Sequence, residues 1–356
     1  LEIAMKNRIP PALALFVLAP AVGELVSGSA PPAEFSNPFM FIVLAALYGS
    51  GALLAREISL RWNKRWPTIL MLGLAYAIIE EGLMVKSFFD PGWMDLGDMA
   101  FYGRWLGINW PWTVELMIYH ATVSIAIPIQ LVELIYRERR DERWLGRRGM
   151  IGIPVLLGLD VLFGFFVLTT YRPPAGPYLL AVLATVGLYW WARQAPAEWP
   201  AKAPIQPLHY RLLILIGLSI VVGMIFAAWV FASSGWSPVL SIILMIAVCV
   251  ASYLVIRRAS GYGSWDDLSR LALIRGVLLP MNILGAIREF SGNQPDNPTG
   301  MTLVGILTLV GLWWLGRRIR ERRPAPPAQD DLLPFGAKAD QGSGQSKPDR
   351  RRGLFE

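Results

Sequence analysis

Two adjacent carboxylates, Glu80 and Glu81, interrupt the apolar run WPTILMLGLAYAIIEEGLMVKSFF between Trp66 and Phe89. The next apolar run carries His120. An ionisable group in hydrocarbon costs a few kcal/mol or more, so it normally faces a protein interior, a partner or water. Carboxylate beside imidazole allows three chemistries. A glutamate can act as general base on a water, with histidine as its proton-carrying partner. Glutamate and histidine can hold a divalent metal, although His120 is the only histidine in an apolar run, which weakens a zinc site. The carboxylates can also form a proton or cation site in a carrier. The plainer alternative is that each glutamate pairs with Lys86, Arg275 or Arg288 and locks helices together. The residues leave the metal and any cofactor unassigned.

The elements that position these groups are membrane spans. The chain has 356 residues, 54% hydrophobic and 17% charged, against about 25% charged in a soluble domain. Its apolar residues fall in runs of the length that crosses a ~30 Å hydrocarbon core. No polar stretch is long enough to bury a core of its own. The expected fold is all-α: a polytopic membrane helix bundle of about ten spans with both termini inside. The apolar segments are 10–28, 38–56, 67–89, 110–135, 150–171, 176–193, 211–233, 237–256, 267–290 and 299–316. The ninth is the weakest, with Arg270 and Arg275 in its first half and Pro280 in its middle. It reads either as a full span or as a re-entrant helix.

Charge asymmetry supports the count. With Lys6 and Arg8 inside, the inner connections hold Arg61 to Arg65, Arg137 to Arg148, the linker from Arg193 to Arg211, Arg257-Arg258 and Arg317 to Arg323. The opposite connections hold almost no Lys or Arg beyond Arg104 and Arg172. That is the positive-inside pattern of a cell-membrane protein. The net charge of +7 is thus explained by orientation signals, and no nucleic-acid partner is expected. Trp and Tyr near the proposed ends, among them Trp62, Trp66, Trp110 and Trp236, form the interfacial belt.

The first apolar run follows a basic start at Met5, as a signal peptide would. Pro31 after the small residues and Glu24 inside the run favour a retained span. Residues 1–323 read as the membrane domain. Residues 324–356, rich in Pro, Gly and charge, read as a disordered cytoplasmic tail. Cys249 is the only cysteine, which excludes an internal disulfide and Cys-rich zinc sites.

In this topology Glu80 and Glu81 lie eight or nine residues before the outer end of span three, and His120 lies ten residues into span four. At 1.5 Å per residue each is ~12–15 Å below the outer end. Glu24, Lys86, Glu115 and Asn282 share the outer half. Ser124 is four residues after His120 and on its face. Glu115 is five residues before His120, about 140° around the helix. The catalytic candidates are Glu80, Glu81, His120 and Asn282; Glu24, Lys86, Glu115 and Ser124 are supporting candidates. Asp160, mid-span in segment five, has no assigned partner. The loop FFDPGWMDLGDMAFYGRWLGINWPW, with Asp90, Asp95 and Asp98, reads as a lid over the site or as an interfacial loop.

Glu80-Glu81 followed on the next span by Leu116-Met117-Ile118-Tyr119-His120 resembles the first two motifs of the intramembrane proteases related to type II CAAX prenyl endopeptidases, the CPBP family. Those motifs are Glu-Glu-x-x-x-Arg and Phe-x-x-x-His. The resemblance implies a glutamate and a histidine that activate water, and an asparagine that steadies an oxyanion. It points to a membrane peptide or lipid-modified substrate within membrane lipids. Val85 stands in place of the motif arginine, with Lys86 one position on. Leu116 stands in place of the phenylalanine. No later span carries a histidine, and Asn282 is the available amide. The rival functions are a proton- or ion-coupled transporter and a membrane scaffold without chemistry.

Overall fold

The structure is a computed structural model that describes residues 9–197, 208–259, 265–291 and 296–322. The expected start at Met5, the tail from 324 and the middle of the linker after Arg193 lie outside the described residues. Within them, each of the ten apolar segments is a helix: α1 (Pro11–Leu25), α2 (Pro38–Arg61), α3 (Trp66–Met84), α4 (Trp110–Ile135), α5 (Gly149–Leu168), α6 (Ala175–Gln194), α7 (Tyr210–Ser233), α8 (Pro238–Arg258), α9 (Asp267–Phe290) and α10 (Met301–Glu321). Nine are long and apolar enough to cross a membrane; α1 is shorter. Its end has a local cause. Gly28 takes φ 85°, and the Gly28 and Ala30 N–H groups both turn back to the Glu24 carbonyl, a glycine-terminated helix end.

Segment nine is an unbroken helix of 24 residues that carries Pro280 inside it. Asp266 caps its start by accepting from the Ser269 N–H at 2.7 Å. Its length, ~36 Å at 1.5 Å per residue, favours the full span over the re-entrant reading.

Burial divides the helices into an inner and an outer set. The apolar windows of α3 and α4 are 72% buried and that of α2 is 67% buried, against 11% for α6 and α8. The inner set therefore forms the wall that can hold charge, and the outer set offers apolar side chains such as Leu159, Phe166, Leu183 and Ile243 to lipid. Two close approaches fix the packing. A Cβ on Gly73 of α3 would lie 2.7 Å from the Ala121 Cα of α4, and one on Gly276 of α9 would lie 2.1 Å from the Ile214 carbonyl oxygen of α7. Without side chains at these points the helix backbones meet, as in membrane small-residue contacts.

The basic end of the bundle is tied by a buried ionic network. Arg56 is fully buried, binds Glu57 and Glu133, donates to the Arg140 and Glu142 carbonyls, and stacks 3.2 Å from the Trp144 ring. Arg65 pairs with Glu133 and Asp141. Arg137 and Arg140 reach Asp267 at the start of α9.

The loop between α3 and α4 is built, not extended. It contains β1 (Arg104–Trp105) and β2 (Ile108–Asn109), paired antiparallel. Leu106 and Gly107 between them both take positive φ, 54° and 75°, as a two-residue hairpin turn requires. Leu96, Met99 and Ile108 are buried, so the loop packs onto the outer end of the bundle. Among the described residues this hairpin is the only β structure.

Candidate functional site

Among the described residues six of the helices contain a π turn, two of them away from the cluster in α5 (Gly164–Leu168) and α7 (Phe226–Val230), and four carry its side chains. The four at the cluster are Ala21–Leu25 in α1, Ala45–Gly49 in α2, Ile78–Met84 in α3 and His120–Ala126 in α4. They carry Glu24, Tyr48, the pair Glu80 and Glu81, and His120 with Ser124. Such turns are rare in proteins and frequent at functional sites. Their i→i+5 bonds are explicit: the Val26 N–H donates to Ala21 O at 3.0 Å and the Val85 N–H to Glu80 O at 2.9 Å. In α4 the cause is legible. Pro128 has no N–H and its ring crowds the Ser124 carbonyl, which opens the turn before it.

The side chains converge. His120 Nε2 lies 2.9 Å from Glu81 Oε1. His120 Nδ1 lies 3.0 Å from Ser124 Oγ and 3.2 Å from Glu80 Oε2. The last approach is off the hydrogen-bond direction, so Glu80 Oε2 is a buried oxygen with no hydrogen-bond partner. Tyr48 places its single hydroxyl against both Glu24 Oε1 and Glu80 Oε1. One hydroxyl proton cannot serve two ionised carboxylates, so this bridge requires a further proton on one of the acids. Ser87 donates to Glu81 Oε2 and accepts from Trp112 Nε1 at 3.0 Å. Tyr48, Tyr76 and Tyr119 ring the imidazole, with centroids 6.1, 6.1 and 5.2 Å away.

Charge is unbalanced here. Three acids face one imidazole, and among the described residues no lysine or arginine pairs with Glu80 or Glu81. Burying unpaired charge costs several kcal/mol per ion, so the site must hold protons or a cation. Glu80, Glu81 and His120 each offer a ligand atom within 4.8 Å of the others, a spacing that could hold a metal ion.

The structure thus brings together Glu24, Glu80, Glu81, His120 and Ser124. It places the other candidates elsewhere. Lys86 donates to the Phe165 and Thr169 carbonyls at 2.8 and 3.4 Å and lies 4.3 Å from the Phe165 ring. It closes the C-terminal end of α5, a favourable place for a cation. Glu115 accepts from Trp229 Nε1 at 2.8 Å, on another face as its spacing requires. Asn282 gives its amide to the Leu278 carbonyl at 2.7 Å and lies against Gly305 of α10. The matched depth also changes in form. The third helix stops at Met84, so Glu80 and Glu81 occupy its last turn, and the turn through Lys86, Phe88 and Phe89 stays buried. The helix-locking alternative loses its partners, because Arg275 binds the Leu312 carbonyl and Arg288 binds Asp296.

Sequence reasoning did not single out Tyr48, Tyr76, Ser87 and Trp112. The signal was available for the two tyrosines, which lie mid-span instead of at the interfacial belt. Asp160 of α5 is buried with one oxygen unpartnered and within electrostatic reach of Tyr76.

A cavity of about 1480 Å³ adjoins the cluster and is lined by Glu24, Glu80, Glu81 and His120. Its lining includes residues of α2, α3 and α4 and of α7, α8 and α9. It includes Arg65 and Asp141 at the basic end and Trp93 and Asp95 at the opposite end. Asp95 keeps surface open to the cavity mouth while close packing and the charge of Glu81 raise its carboxyl above the usual range.

Fold and site together define a polytopic helical membrane protein with a buried glutamate–histidine cluster. Residues 13–258 match an uncharacterized membrane protein family, and the chain belongs to that family. No curated protein and no solved structure matches the chain.

Proposed function

We propose that the protein is a hydrolase of the cell membrane that uses Glu80, Glu81 and His120 to activate a water. The observation that carries this reading is the close grouping of Glu80, Glu81 and His120, which all line the cavity, with Glu80 Oε2 buried 3.2 Å from His120 Nδ1. A water hydrogen-bonded to that oxygen would lose a proton to the carboxylate as its oxygen attacks an amide or ester carbonyl. That proton would cross from Glu80 Oε2 to His120 Nδ1, 3.2 Å away, and the imidazole, held by Glu81 and Ser124, would give it to the leaving amine or alcohol as its bond to the carbonyl carbon breaks. The substrate is a membrane peptide or lipid-modified chain that enters from the bilayer. The two-motif resemblance to the CPBP intramembrane proteases supports the same roles for Glu80, Glu81 and His120. The chain supplies no second intramembrane histidine, and Asn282 faces α10 instead of the cluster. The oxyanion donor is therefore a point of difference from that family.

A second reading, a proton-coupled carrier, is favoured by one observation. The cavity touches residues of both ends of the bundle, as a transport path would. One experiment separates the two. Purified protein is offered prenylated and unmodified membrane peptides, and the same preparation is tested for proton flux in liposomes. Cleavage that falls ~10²–10⁴-fold in Glu80→Gln and His120→Ala supports the hydrolase. Absent cleavage, with proton flux that Glu80→Gln abolishes, supports the carrier and overturns the hydrolase.

A further inference from the structure

The same cavity has a second polar pole, at the basic end and opposite in chemistry. Gln130 of α4 is 7% exposed, lines the cavity, and its Nε2 has no hydrogen-bond partner. Arg270, near the start of α9, also lines the cavity, and its buried Nε has no partner. A buried donor without an acceptor costs ~1–3 kcal/mol. Gln130 and Arg270 belong to two helices that line one cavity, and each leaves a buried donor short of an acceptor. The surrounding charge has the matching sign. Ion pairs join five arginines, Arg56, Arg61, Arg65, Arg137 and Arg140, to four carboxylates, Glu57, Glu133, Asp141 and Asp267, and Arg270 adds a further positive charge beside them. Glu133 and Asp141 also face the cavity, but both are engaged by arginines.

We propose that this pole binds the phosphate of an anionic phospholipid, with the acyl chains lying along the cavity wall. The shared chemistry is a phosphoryl oxyanion, which free phosphate also offers. Three observations favour the lipid. Gln130 is five residues before the end of α4 at Ile135, ~8 Å from the helix end, the depth of the headgroup boundary. Trp66 and Trp265 line the same end, as interfacial anchors do. Between Gln130 and His120, ~15 Å apart along α4, the wall is apolar but for Thr122, whose hydroxyl donates to the Ile118 carbonyl, with Val123, Ala126, Ile127, Ile274 and Val277. The cavity also reaches lining residues that are exposed on the apolar flank, Cys249 and Leu284. A chain from the bilayer can enter there.

The test is native mass spectrometry of the delipidated full-length protein titrated with phosphatidylglycerol, phosphatidylcholine and inorganic phosphate. Wild type should retain one phosphatidylglycerol and discriminate at least tenfold against phosphatidylcholine. Arg270→Gln and Gln130→Leu should each weaken that retention about tenfold. Gln130→Glu, nearly isosteric, should abolish it, and a melting curve taken alongside establishes that each variant is folded. Equal retention of the two lipids overturns the proposal, as does unchanged retention in folded Gln130→Glu. Saturable inorganic-phosphate binding with no lipid preference assigns the pole to a soluble phosphate and overturns the lipid.

Discussion

The role of Ser124 can be separated from that of His120, which it holds. Ser124 is fully buried and does not line the cavity, so it cannot reach a substrate. Its hydroxyl, 3.0 Å from His120 Nδ1, fixes the ring while Glu81 holds the other nitrogen. Ser124→Ala should slow turnover about tenfold, the worth of one hydrogen bond. It should also displace the pH–rate profile and leave KM unchanged. A loss confined to KM, with the profile unmoved, would show that Ser124 does not position the histidine. Glu80, Glu81 and His120 were legible in the sequence because charge inside an apolar run is costly. Lys86 was misleading for the same reason. Its cost is met by the carbonyls at the end of α5, a helix whose end no local pattern around Lys86 could announce.

At the scale of elements, the site depends on helix registers that the apolar runs outline only coarsely. The spans and the start of α9 at Asp266 were readable from length, hydropathy and capping residues. The π turns were not, except where Pro128 opens α4, because a widened turn needs the neighbouring helix to keep it. The contact of α7 and α9 through Gly276 makes a direct check. Gly276→Leu should lower the melting temperature and the folded yield, because a Cβ there meets the Ile214 carbonyl oxygen at 2.1 Å. Gly311→Ala is the control. A Cβ there has nothing within 4 Å, and alanine should be neutral or stabilise α10 by up to ~1 kcal/mol. Equal melting of both variants would remove the close packing from the account. Arg56 fastens α2 to the end of α4, so Arg56→Ala should cost ~3–5 kcal/mol by leaving Glu57 and Glu133 short of a partner. A denaturant titration in detergent that finds less than ~1 kcal/mol would make the network ornamental.

For the whole molecule, orientation follows from where the arginines fall. Tags placed beside Arg140 should be protected on the inner side and tags beside Asp95 should be accessible from outside; reversed labelling would invert every statement about depth. Helices α3 and α4 carry Glu80, Glu81 and His120, α1 adds Glu24 and α2 adds Tyr48, and the outer helices shield them. Hydropathy alone gave only a partial view of this layering: α3 and α8 both pass as spans, yet 72% of the α3 window and 11% of the α8 window is buried. The cavity, lined by residues of α1 to α5 and of α7 to α9, is likewise a property of assembly. Its two poles, acceptor-rich at Glu80 and donor-rich at Gln130, come from residues far apart in sequence on shared helices.

The central claim is that Glu80 and His120 work as one unit on a water at the cavity wall. Its most direct test is the single-turnover cleavage rate of wild type, Glu80→Gln, His120→Ala and the double variant, on whichever membrane peptide the wild type cleaves. Each single variant should lose ~10²–10⁴-fold, and the double variant should be no slower than the slower single, because parts of one catalytic unit are not additive. Multiplying losses, or a variant that keeps the wild-type rate, would contradict the account.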